Sequence, residues 1–136
     1  MTPQQLQART RRFSVDVIRF FRKLPRTEEA RVIGRQLLRA ATSVGANYRA
    51  VCRGKSDPDF IFKLGVCIEE ADETAYWFEI LVDAAIVPQH MVANLHREAG
   101  ELTRILVASR RTVQARLRKA RAEREANRKS EIKNQK

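Results

Sequence analysis

At 136 residues the chain fits one domain large enough to bury a core, and scarce Pro and Gly among Ala-, Leu-, Arg- and Glu-rich segments favour helix over strand. A net charge of +11 predicts attraction to polyanions such as RNA, DNA or an anionic surface. No run approaches the ~18 uninterrupted apolar residues of a membrane span. The polar, arginine-rich start lacks the apolar core of a secretory signal.

Pro25, Pro58 and Pro88 punctuate the chain where apolar periodicity breaks and restarts, so each marks a helix boundary. The first helix is expected from about Gln4 to Lys23, with Phe13, Val17, Phe20 and Leu24 on one face. The second is expected from about Glu28 to Arg53, capped by Thr27, with Glu28 and Glu29 against the positive end of its dipole. Its inward stripe is Ile33, Leu37, Ala40, Val44, Tyr48 and Val51, and Gly54 terminates it. The third is expected from about Pro58 to Ala85, capped by Ser56 or Asp57. It carries the cleanest heptad pattern: Ile61, Leu64, Ile68, Ala71, Ala75, Phe78 and Val82. The fourth starts at about Pro88, and its stripe of Val92, Leu95, Ala99, Leu102, Leu106, Ser109 and Val113 fades after Leu117. Short connections force neighbours antiparallel, which predicts an all-α, up-down-up-down four-helix bundle over residues 1–118. Residues 119–136 are nearly all polar and read as a frayed helix end passing into a basic, partly disordered C-terminal tail. Gly34, Gly45, Gly65 and Gly100 fall inside predicted helices and are best explained by close helix–helix approach, with a kink near a binding site as the alternative.

Charge is segregated. From Asp57 to Pro88 there are eight acidic residues against Lys63 alone, a net −7, which leaves +18 on the rest of the chain. Arg31, Arg35 and Arg39 recur every four residues and share a face of the second helix, with Arg49 and Arg53 beyond them. Arg110, Arg111, Arg116 and Arg118 follow on the fourth. Guanidinium groups suit bidentate phosphate contacts and stacking on bases. The competing reading is a solvated face, or pairing of these arginines with the acidic third helix.

Catalytic patterns are missing. His90 and His96 have no triad context, Ser43 lacks a nucleophile-elbow pattern, and there is no phosphate-loop glycine motif. Neither histidine follows a glutamate by three, as bundle metal sites require, so no metal or other cofactor is expected. Glu69, Glu70 and Glu73 are expected to meet arginines instead, on helix two or on another subunit. Asn47 lies near the inward stripe and needs a polar partner, for which Glu70 or Thr74 is available. Tyr76 and Trp77 suit core or interface packing better than base stacking. Cys52 and Cys67 would be offset by roughly 7 Å along an antiparallel hairpin, too far for a disulfide, and both are expected as small buried side chains. The absence of a signal peptide and the isolated cysteines suit the cytoplasm.

Two stretches carry a family resemblance: Arg39-Ala-Ala-Thr-Ser-Val-Gly-Ala-Asn-Tyr-Arg49 and Asp59-Phe-Ile-Phe-Lys-Leu-Gly-Val-Cys-Ile-Glu-Glu-Ala-Asp-Glu-Thr-Ala-Tyr-Trp-Phe-Glu-Ile-Leu81. From about Phe13 to Ser109 the chain resembles the bacterial four-helix-bundle proteins encoded in intervening sequences of large-subunit ribosomal RNA genes. The accessory variability protein of diversity-generating retroelements is similar in fold. Ala50 departs from the pattern, in which an acidic residue commonly follows Asn-x-Arg. The resemblance implies a cytoplasmic homopentameric ring with a basic surface and, for the accessory branch, partnership with a reverse transcriptase. Asn47, Tyr48, Glu70, Glu73 and Trp77 fall in these motifs and are assigned structural roles.

The functional expectation is a non-catalytic, oligomeric scaffold that binds nucleic acid, RNA in preference. Arg31, Arg35, Arg39, Arg49, Arg53, Arg110, Arg111, Arg116 and Arg118 would supply the phosphate contacts. The alternative is a protein-interaction accessory subunit.

Overall fold

Thr2 opens the first helix with a reciprocal cap: its hydroxyl accepts from the Gln5 N–H, and the Gln5 side chain accepts from the Thr2 N–H. The computed structural model describes residues 1–54 and 56–135. They form α1 (Pro3–Phe21), α2 (Glu28–Cys52), α3 (Asp57–Asp83) and α4 (Gln89–Asn134). Thr27 and Ser56 cap α2 and α3 through their hydroxyls, and Pro58 sits in the first turn of α3. The α3–α4 turn contains Ala85 at φ 57°, the one positive φ of a non-glycine residue among those described. There the N–H groups of Ile86 and Val87 both return to the Leu81 carbonyl.

The helices pack in chain order. α2 lies against α1 and α3, and α3 lies against α4, whereas α1 and α4 meet only sparsely. Phe13, Val17, Leu37, Val44, Leu64, Phe78, Leu102 and Leu106 are buried in one continuous core. Phe20 of α1 and Phe78 of α3 meet edge to face across it, with centroids 5.5 Å apart.

The register of α3 differs from its heptad. The buried residues are Leu64, Cys67, Ala71, Thr74, Phe78 and Leu81, whereas Ile61, Ile68, Ala75 and Val82 are only half-buried. α3 packs between α2 and α4 and is apolar on more than one face, so periodicity alone does not decide which face is central. Thr74 enters the core because its hydroxyl donates to the Glu70 carbonyl at 2.7 Å.

Close approach explains two of the four helical glycines. A Cβ on Gly34 would come within 2.7 Å of Leu24, and one on Gly45 would stand 3.2 Å from the Thr10 carbonyl oxygen. Gly65 and Gly100 face only arginine side chains.

The expected disordered tail is instead helix: α4 continues to Asn134, and Lys136 lies outside the described residues. Val113 is the last buried residue of α4, and every described side chain after Ala120 is exposed. Polarity kept this segment out of the core without making it a poor helix former. It holds no Gly or Pro, and Ala, Arg, Glu and Lys all rank high in helix propensity.

Candidate nucleic-acid interface

Antiparallel packing brings the start of α1 beside the end of α2. Between them runs a groove of about 710 Å³ lined by Gln4, Gln7, Ala8, Arg11 and Ser14 of α1, and by Gly45, Ala46, Arg49 and Arg53 at the C-terminal end of α2. Its floor is low because Gly45 has no side chain where α2 passes close to the Thr10 carbonyl of α1. Ser14 ties the helices there, its hydroxyl donating to the Thr10 carbonyl at 3.2 Å and lying 3.5 Å from that of Ala41. Arg11, Arg49 and Arg53 are exposed and form no ion pair among the described residues. Three guanidiniums around a polar trough can neutralise phosphates and donate paired hydrogen bonds to them.

Arg11 was not singled out by sequence reasoning. Its signal is the polar stripe Gln4, Gln7, Arg11 and Ser14, spaced 3-4-3 along the face of α1 that turns toward α2.

The same end of the bundle collects the α4 arginines. Arg116 reaches Asp57 at the start of α3, with Nη2 to Oδ1 at 3.0 Å, and Arg110 lies beside Gly65. Arg111 and Arg118 are exposed, with no carboxylate partner among the described residues. Arg31 and Arg35 are exposed near the start of α2, at the opposite end.

Arg39 stands apart from the other arginines of α2. It bonds Glu73 through Nη2 at 2.6 Å and Glu70 through Nη1 at 3.3 Å, so α3 already satisfies much of its donor capacity. The Glu73 carboxyl is lowered below its ordinary pKa chiefly by the Arg39 hydrogen bond, whereas burial raises that of Glu70 despite the same arginine. Trp77 adds an indole N–H to Glu73 at 3.3 Å and meets Tyr76 edge to face.

Asn47 finds a different partner from either expected on α3. Its amide donates to the Ser43 carbonyl one turn back on its own helix, at 2.8 Å. Because that bond is local, Asn47 does not lock the α2–α3 register through Glu70 or Thr74. Tyr48 and Cys67 are buried, but Cys52 is exposed, contrary to expectation, because it falls on the outer side of the last turn of α2. Both thiols are free.

Residues 4–108 match the family model of the 23S rRNA-intervening sequence protein. The chain belongs to this family. The 23S rRNA-intervening sequence protein match spans the groove and the Arg39–Glu73 pair and stops before Arg110. A solved structure with the same fold comes from Bacteroides thetaiotaomicron, a protein of unknown function from the S23 ribosomal protein family. It aligns at 27% identity and a TM-score of 0.76, covering 82% of this chain and 99% of that one. Comparison with curated proteins finds no match. No helix among the described residues is long and apolar enough to cross a membrane.

Proposed function

We propose that this member of the 23S rRNA-intervening sequence protein family is a non-catalytic nucleic-acid-binding scaffold of the cytoplasm, with RNA its preferred ligand. The observation that carries the reading is the α1–α2 groove, where Arg11, Arg49 and Arg53 surround a polar trough without carboxylate partners among the described residues. Glu70 and Glu73 of α3 are taken up by Arg39, outside the groove, so they do not neutralise its guanidiniums.

The test is binding of nuclease-treated protein to a structured RNA and a matched DNA duplex across a salt series. Replacing Arg49 and Arg53 together by Gln is expected to weaken binding at every salt concentration and to lower the salt slope by about two. Ala46→Trp, which fills the trough from an exposed position and leaves every charge in place, is expected to weaken binding as well. Absence of binding at low salt, or an unchanged affinity and slope in a folded Arg49/Arg53 variant, overturns the reading.

A second reading, a protein-interaction scaffold, is supported by the outer face of α3. Phe62 and Tyr76 are 73% and 51% exposed there, two heptads apart, with exposed Glu69 between them. Such a face suits self-assembly into a homo-oligomer or a protein partner such as a reverse transcriptase. Light scattering of Phe62→Glu tests it: unchanged mass relative to an assembled parent rules out Phe62 as an assembly contact.

A further inference from the structure

The α4 extension is a second basic element with a geometry of its own. It leaves the bundle at the Arg116–Asp57 pair and runs on through residues 118–134, about 25 Å at ~1.5 Å per residue. It lies beyond the matched residues 4–108.

Four of its seven cations are ordered in two rows, with Lys119, Arg124 and Lys133 outside them. At 100° per residue, Arg121 and Arg128 continue the line of Arg110 of the bundle, because offsets of 11 and 18 residues return to within about 20° of the start. Arg111, Arg118 and Lys129 fall on a second line about 100° away. Glu125 lies between the two rows. The extension has no aromatic side chain on which an unpaired base could stack, and no apolar stripe with which to form a coiled coil.

Two parallel rows of cations on one helix match a groove with a phosphate strand along each wall. A helix 10–12 Å across fits the ~12 Å major groove of B-form DNA. In A-form RNA that groove is narrow, and entry needs a locally widened segment. A carboxylate between the rows would face the groove floor, away from the phosphates, where base amino groups are donors.

Resting on the nucleic-acid reading above, we infer that the α4 extension is a helical arm that docks lengthwise in the groove of a base-paired nucleic acid. The α1–α2 groove, at the same end of the bundle, holds an adjacent phosphate run. The arm therefore recognises duplex geometry, and its helical state matters as much as its charge.

The experiment compares the full-length parent with two full-length variants. One carries Arg118→Gln, Arg121→Gln, Arg128→Gln and Lys129→Gln. The other is Ala122→Pro, which interrupts the arm beyond the core and keeps every charge. Probes are a 24-base-pair DNA duplex, the matching RNA duplex and the single strands. The quadruple variant is expected to lose at least tenfold in duplex affinity and about three to four in salt slope, with single strands affected less. Ala122→Pro is expected to lose duplex affinity while keeping single-strand affinity. Preference of the parent for the DNA duplex supports lengthwise docking of the arm, and preference for the regular RNA duplex, whose major groove is too narrow for the helix, overturns it. Parental duplex affinity in either variant overturns the arm. If the Arg49/Arg53 variant still loses binding in that case, the nucleic-acid reading stands without the arm. A parent that binds no probe overturns both.

Discussion

Arg39 on α2 holds Glu73 on α3 through both carboxylate oxygens, at 2.7 and 2.6 Å, while Glu70 one turn earlier takes its other amino group at 3.3 Å. The two glutamates respond oppositely to acid. Glu73 has its pKa lowered from the ordinary 4.5, so its contribution to stability is complete above that value and is lost as pH falls through its own lower one. Glu70 is raised by burial, so its ionisation costs stability at neutral pH and protonation returns it. Glu73→Gln is therefore expected to lower stability at pH 7 and flatten the loss below pH 4.5, and Glu70→Gln to do the reverse. Chemical denaturation across pH reads both slopes.

The sparse α1–α4 seam is bridged by Arg9, which donates from Nε to Glu98 at 2.8 Å and from Nη2 to both Glu98 and Glu101. Its guanidinium is raised beyond its usual pKa mainly by the Glu98 hydrogen bond. The cluster is partly exposed, with 26% of the Arg9, 27% of the Glu98 and 43% of the Glu101 side chain open to solvent. Arg9→Gln is expected to cost about 1–2 kcal/mol by urea denaturation. Faster amide exchange should be confined first to α1, the helix held by the fewest neighbours.

Ala85 turns the chain from α3 to α4 at φ 57°, a conformation that crowds its Cβ against the backbone. Ala85→Gly is expected to raise stability by up to about 1 kcal/mol, the strain relief exceeding the entropy that glycine adds to the unfolded chain. A lower Tm would show that the turn carries no such strain.

Cys67 is fully buried, and burial pushes its thiol up to about 12, whereas Cys52 is exposed. A thiol reagent at pH 8 is expected to modify Cys52 in the folded protein and Cys67 only after denaturation. Rapid labelling of both in the native state would contradict this burial.

Helix number, order and approximate ends, apart from the end of α4, were legible in the chain itself. Caps such as Thr27 and Ser56, prolines at turns and a 3-4 apolar rhythm are local signals, and local backbone physics reads them the same way in any context. The arginines of the basic end were legible as charge, but their grouping was not. Arg31, Arg35 and Arg39 share one helix face, yet only tertiary packing sets Glu70 and Glu73 against Arg39 and leaves the other two in solvent. Arg11 joined Arg49 and Arg53 only when α1 and α2 met over Gly45, a contact between residues more than thirty positions apart.

The sequence by itself determined an all-helical, strongly basic chain with an acidic third helix, since propensity, periodicity and charge are sums over neighbouring residues. The tertiary structure decided which apolar face of α3 is central, which arginines stay unpaired and that α1 and α2 enclose a trough. Those outcomes depend on distances between helices, and no local signal carries them.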